Sequence, residues 1–297
     1  MKKRNYRNPV GVGKYTGLLL IMPFIIGFAV FTLYPFAASF ALGLTDFDGI
    51  RQPRFIGTEN FTDMLSSSDF RNAAAVTLKY TFILVPLKLA VSLLTAVLLN
   101  AGIRGIGVYR TIFYVPSILG SNLAIVIMWQ FLFTSGGLAD QLLGLAGLPS
   151  VSWYGSGSGA MLIIVLLRLW EFGSAMILFL NALRDIPGEY YDAAKVDGCG
   201  RINAFFRITL PLLGRVTFLN LVLQVIAAMQ EFSAPYMITG GGPMKGTYTI
   251  GMLIYDEMFR YHNAGYANAV SWAFFMLVTG IVLVLFAVTS RRREEFI

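Results

Sequence analysis

Charge is scarce in this sequence. Of its 297 residues, 13% are Asp, Glu, Lys or Arg, about half the ~25% usual in soluble domains. With 56% hydrophobic residues and a mean hydropathy of +0.67, that shortage excludes an ordinary water-soluble chain and points to a membrane protein. Cysteine is reduced to Cys199, so no internal disulfide framework and no Cys-x-x-Cys site can form. Histidine is reduced to His262, which excludes a histidine-rich metal site. No Ser-His-Asp set stands out either, and an enzyme acting alone is not expected. The net charge of +7 fits lysines and arginines on cytoplasmic loops better than a nucleic-acid surface.

Long apolar runs are what the chain has in abundance. Six are long enough to cross about 30 Å of hydrocarbon: roughly 15–42, 73–100, 108–133, 160–183, 210–232 and 266–290. The first follows a basic start, MKKRNYRNPVGVGKY. It is too long for a signal-peptide core, has no clear small-residue cleavage site, and reads as an uncleaved helix. Counting basic residues outside the spans, the N-terminus, the 101–110 loop, the 184–215 segment and the C-terminus hold 15, against 5 on the alternate side. Both termini and the 184–215 segment are therefore expected in the cytoplasm. The expectation is an all-α membrane protein of six transmembrane helices, a single domain over 1–297.

One stretch interrupts the oil. EYYDAAKVDGCGRINAFFRITLP, residues 189–211, carries six charged side chains: Glu189, Asp192, Lys195, Asp197, Arg201 and Arg207. Pro187 suits a first helical turn, and Glu189 and Asp192 suit a helix N-terminus. Ala193 and Ala194 give a smooth face. Gly198 and Gly200 break the helix, a second short helix can pass through Phe205 and Phe206, and Leu210-Pro211 opens the next span. The pattern is a compact helix–turn–helix knob.

These residues resemble the permease subunit of binding-protein-dependent ABC importers, in the maltose-type branch that takes up carbohydrates. The family's loop carries Glu-Ala-Ala, a glycine four residues later and a distal Ile-x-Leu-Pro. Here stand Asp192-Ala193-Ala194, Gly198 and Ile208-Thr209-Leu210-Pro211, with Asp one methylene shorter than the usual Glu. Thr239-Gly240-Gly241-Gly242-Pro243 with Thr247 is a second likeness, and the six-span layout a third. The resemblance implies a type I ABC importer permease fold in the cell membrane. It also implies that Asp192, Ala193, Ala194, Gly198, Leu210 and Pro211 couple to a cytoplasmic ATPase. The implied partners are a second homologous permease, an ATPase dimer, an extracellular solute-binding protein and a sugar, with no nucleic acid. The chain would bind no cofactor, ATP and magnesium being used by the partner ATPase. GGGPMKGT is not a phosphate loop, since Lys245 precedes Gly246 and the Walker spacing is absent.

Polar residues within the spans are the pointers to a pathway, because each charge there is costly. Taking Asn220 as zero on a continuous fifth helix, Gln224 falls at about 40° and Glu231 at about 20°, one narrow stripe. In the fourth span Arg168 and Glu171 are three apart and can pair. Lys88 in the second span is a candidate counter-ion of Glu171 or Glu231. By resemblance, the sugar contacts correspond to Trp170, Glu171, Ser174, Gln224, Ala227, Ala228 and Glu231, with Asn122 added from span three. Two acidic residues there favour a polyhydroxyl or cationic ligand over an anionic one, and Lys88 weighs the other way. The competing reading is an ion-coupled secondary transporter using Glu171 or Glu231 as a proton site. Such folds carry internal repeats, and none is visible here.

Overall fold

The computed structural model describes residues 16–101, 105–120 and 122–294. They are helical almost throughout, and no strand forms among the described residues beyond the single bridge Thr45–Phe55. The basic N-terminal stretch and Arg104, on which part of the orientation argument rests, lie outside the described residues, as do the side chains of Arg291, Arg292 and Arg293.

Four helices are long and apolar enough to cross a membrane, and two bent helix pairs bring the number to the expected six when each pair is counted as one span. Helix α1 runs Gly17–Gly43 and α2 runs Ser68–Asn100. The third span is two helices, α3 (Ile106–Leu119) and α4 (Leu123–Leu132). The fourth is also two, α5 (Gly157–Trp170) and α6 (Gly173–Arg184), bent by 42° at their junction. Then come the short α7 (Glu189–Val196), the fifth span as α8 (Gly214–Met229) with α9 (Ser233–Ile238), and α10 (Ala264–Glu294). Spans three to five each read as one apolar range in the sequence, and each is broken in the structure. Hydropathy detects length and oiliness, not a break of two or three residues.

Local chemistry accounts for several of these features. Ser67 caps α2, its Oγ accepting from the Phe70 N–H at 3.3 Å, and Asp69 sits in the first turn. With 33 residues, α2 is about 50 Å long and outreaches the hydrocarbon core. In α1, Pro35 lacks the N–H that would bond the Phe31 carbonyl, and the chain makes one wide turn at Ala29–Leu33 just before it. Leu20, Phe24 and Phe31 of α1 are 77%, 75% and 81% exposed. In a helix whose backbone bonds are satisfied internally, such side chains belong against lipid.

The chain divides into two compact units, residues 1–64 with 257–272, and 65–256 with 273–297. In the first, the Trp272 ring lies between Phe36 and Phe40, with centroids 4.5 and 5.0 Å away. The Trp272 Nε1–H donates to Ser39 Oγ at 3.0 Å. Buried Asn60 donates to the Gly43 and Thr45 carbonyls, both at 2.9 Å.

In the second unit α2 is the common neighbour. Its Tyr80, Leu84 and Val85 pack with Ile163, Ile164 and Leu167 of α5 and with Val225 and Met229 of α8. Nearer its end, Ala96 and Leu99 pack with Met176, Phe179, Leu180 and Leu183 of α6. Helix α3 meets α6 backbone to backbone at Gly173, where an added Cβ would lie 2.7 Å from Tyr114 Cα and collide with the Phe113 carbonyl oxygen. Small residues serve such close helix crossings in membranes. Gly173→Ala should therefore cost about 1–3 kcal/mol, read as a lowered thermal midpoint of the detergent-solubilised protein. An unchanged midpoint would refute the close-packing argument.

Candidate pathway site and coupling knob

Two of the broken spans break at a glutamate. Helix α5 ends at Trp170, Glu171 follows, and α6 resumes at Gly173. Helix α8 ends at Met229, Gln230, Glu231 and Phe232 leave the helix, and α9 resumes at Ser233. Each break frees backbone groups that bulk lipid cannot satisfy. At the first, Ser92 of α2 donates its hydroxyl to the Phe172 carbonyl at 3.1 Å. At the second, Thr249 Oγ1 donates to the Glu231 carbonyl at 3.0 Å, and the Ala234 N–H donates to Glu231 Oε1 at 3.0 Å.

Arg168, one turn before the first break, holds both glutamates. Its Nη1–H donates to Glu171 Oε2 at 2.9 Å and its Nη2–H to Glu231 Oε1 at 2.8 Å. Its Nε lies 2.6 Å from Glu231 Oε2, an ion-pair contact without hydrogen-bond alignment. The guanidinium side chain is 18% exposed, and the two carboxylate side chains are 10% and 7% exposed. The Arg168–Glu171 pair matches the three-residue spacing. The link to Glu231, 63 positions on, has no signal in the sequence.

These groups line a cavity of about 340 Å³ with Tyr80, Leu84, Lys88, Gln224, Ala227, Ala228, Gln230, Phe232 and Ser233. Its volume is within the ~300–1,000 Å³ usual for small-molecule sites. Of the substrate contacts expected from the sequence, Glu171, Gln224, Ala227, Ala228 and Glu231 meet here. The other three stand elsewhere. Trp170 packs against Trp129, centroids 6.2 Å apart, in the apolar core. The Ser174 backbone N–H donates to Ser117 Oγ at 3.2 Å, joining α6 to α3. Asn122 caps α4, accepting from the Ile125 N–H at 3.0 Å and donating to the Leu119 carbonyl at 3.2 Å.

Two further expectations need correction. The stripe of span five is not continuous: Asn220 is fully buried and donates to the Ala175 carbonyl of α6 at 3.4 Å, and Glu231 lies in the break, where helical angles no longer apply. Lys88 lines the cavity but makes no ion pair with Glu171 or Glu231; Arg168 takes both. Tyr80 and Ser233 also line the cavity without a signal in the sequence, and Gln230, which falls off the span-five stripe by helical angle, joins them. A single tyrosine in an apolar run and polar residues beside a break carry no periodic signal.

The expected helix, glycine turn and helix of residues 189–211 are all formed. Helix α7 spans Glu189–Val196 and a short helix Arg201–Ala204 follows. The turn between them is a Schellman motif: the Cys199 N–H bonds the Ala194 carbonyl at 2.8 Å and the Gly198 N–H bonds the Lys195 carbonyl at 3.1 Å. Gly198 has φ +74° and open space where a Cβ would stand. Its requirement is therefore conformational and not steric. Ala194 is buried, while Ala193 and Asp192 face outward, Asp192 paired with Lys195 at 2.8 Å. The Tyr191 hydroxyl bonds Thr209 Oγ1 at 2.9 Å, tying α7 to the segment where Leu210-Pro211 leads into α8.

Comparison with known proteins agrees with this architecture. The family described as the inner membrane component of binding-protein-dependent transport systems matches residues 106–293. The "Probable ABC transporter permease protein YesP" of Bacillus subtilis is 40% identical, covering 92% of this chain and 90% of its own length. The trehalose/maltose transport system permease protein MalF of Thermococcus litoralis is 32% identical, covering 94% and 95%. A chain of a bacterial alginate ABC transporter, solved in complex with an alginate pentasaccharide-bound periplasmic protein, superposes with a TM-score of 0.80 at 22% identity, covering 93% of this chain and 94% of that chain.

Arg168→Met leaves two buried carboxylates without their cation and should destabilise by about 3–5 kcal/mol. The concerted variant Arg168→Met/Glu171→Gln/Glu231→Gln should recover most of that loss in thermal unfolding. If the single and triple variants melt alike, the three do not act as one cluster. For the turn, Gly198→Asn should be better tolerated than Gly198→Val, because Asn enters the left-handed region more readily. Hydrogen exchange at the Cys199 amide reads the outcome, and equal protection in both variants would refute a conformational role.

Proposed function

Since the chain belongs to the inner membrane components of binding-protein-dependent transport systems, we propose that it is one membrane-spanning half of an ATP-driven sugar importer. It pairs with a second, homologous permease, with an ATPase dimer on the cytoplasmic side and with an extracellular solute-binding protein that delivers the cargo. The observation that carries this reading is the cavity at the junction of two broken spans, lined by amide, hydroxyl and carboxylate groups deep within an apolar bundle. Polar groups at such a depth are costly unless they serve a passage. The 32% identity to a trehalose/maltose permease supports a saccharide of two or more units.

The knob supplies the other end of the mechanism. Outward-facing Asp192 and Ala193, with the Schellman turn at Gly198, make a small rigid surface suited to a groove on the ATPase. Tyr191 and Thr209 join that surface to the start of α8, and α8 leads to Glu231. A shift of the knob is then passed along one helix to the break that lines the cavity. ATP binding would drive the shift, sugar would enter from the binding protein, and the polar lining would hold it transiently. Cargo that leaves must not be bound too well, which suits a lining of hydroxyls and amides.

The ion-coupled reading gains nothing from the geometry, since both carboxylates it would use are engaged by Arg168. Reconstituted with its partners in vesicles, the protein should import labelled disaccharide in proportion to ATP on the ATPase side. Uptake should persist when the proton gradient is collapsed at constant ATP. Uptake that stops with the gradient, or runs without ATP, would overturn the proposal.

A further inference from the structure

Lys88 is the unexplained residue of the cavity. It sits in the middle of α2, is 9% exposed, and lines the cavity beside the Arg168 cluster. Among the described residues its ammonium forms no ion pair and no hydrogen bond. A lysine buried in a membrane span without a contact partner is an expensive arrangement. The two carboxylates of the cavity are hydrogen-bonded elsewhere, both to Arg168 and one also to the Ala234 N–H, so neither is in contact with the ammonium. Lys88 therefore offers an ammonium without a hydrogen-bond partner to whatever enters.

Resting on the importer reading above, the geometry points to an acidic saccharide as the cargo, its carboxylate or other anionic group held by the Lys88 ammonium. Two cations and two carboxylates surround the cavity, so it is neutral in sum. Their arrangement is nevertheless polarised. Both carboxylates face Arg168, and a contact pair outweighs charges that are further away and already compensated. An anion at Lys88 meets the ammonium at contact distance and the hydrogen-bonded Glu171 and Glu231 carboxylates only at longer range. Gln224, Gln230, Ser233 and the Tyr80 hydroxyl line the same cavity and remain for the sugar hydroxyls. The carboxylates, which from the sequence pointed away from an anionic ligand, are spent on holding the helix breaks together.

The test uses the assembled membrane complex, both permeases with the ATPase dimer, in nanodiscs without the solute-binding protein. Calorimetry measures binding of paired disaccharides, each pair sharing its stereochemistry and differing by a uronate in place of a hydroxymethyl group, in the gluco, galacto and manno series. In at least one series the uronate should bind about tenfold or more tighter than its neutral partner. Lys88→Met should shrink that preference to about twofold or less, and Lys88→Arg should keep most of it. If Lys88→Met fails to assemble, as judged by size exclusion, Lys88→Gln takes its place. Neutral members binding as tightly as the acids in every series, or a preference that survives loss of the ammonium, overturns the inference while leaving the sugar importer standing. Binding of no disaccharide, acidic or neutral, overturns the saccharide reading and this inference together.

Discussion

A backbone that leaves the helix within a membrane must find hydrogen-bond partners inside the protein. This chain leaves it at both Glu171 and Glu231, and much of the surrounding design answers that need. Ser92 reaches from α2 to the Phe172 carbonyl, Thr249 to the Glu231 carbonyl, and the Glu231 side chain to the Ala234 N–H. Arg168 then joins the two breaks to each other. The breaks are what open room between helices, so the cavity and the polar groups that line it have one origin.

Helix α2 owes its central place to the same circumstance. It supplies apolar side chains to α5, α6 and α8, the Ser92 hydroxyl to one break, and Tyr80 and Lys88 to the cavity wall. An unbroken helix of 33 residues beside two broken ones is the fixed member of the group. Motion in the fourth and fifth spans can then be referred to a scaffold that does not share their weak points.

The spans and the knob were legible because each is written in neighbouring residues. Runs of Leu, Ile and Phe mark the helices, and Asp192-Ala193-Ala194 with Gly198 marks the turn that the hydrogen bonds of Cys199 and Gly198 complete. The site was legible in part. Glu171, Gln224, Ala227, Ala228 and Glu231 do converge, but Trp170, Ser174 and Asn122 serve packing, a helix contact and a cap. Extrapolating one helical angle from Asn220 to Glu231 failed at the break after Met229. Long-range pairings such as Arg168 with Glu231 are invisible to any local pattern.

The shared guanidinium also bears on how such a protein can change over generations. Losing Arg168 strands two acids, and losing either acid weakens the tie across both breaks. A lineage altering one of the three positions passes through a less stable intermediate, whereas replacing all three by neutral side chains is tolerable. Residues 168, 171 and 231 should therefore be inherited as a block. Lys88, which holds none of its neighbours in place, is free to drift with diet.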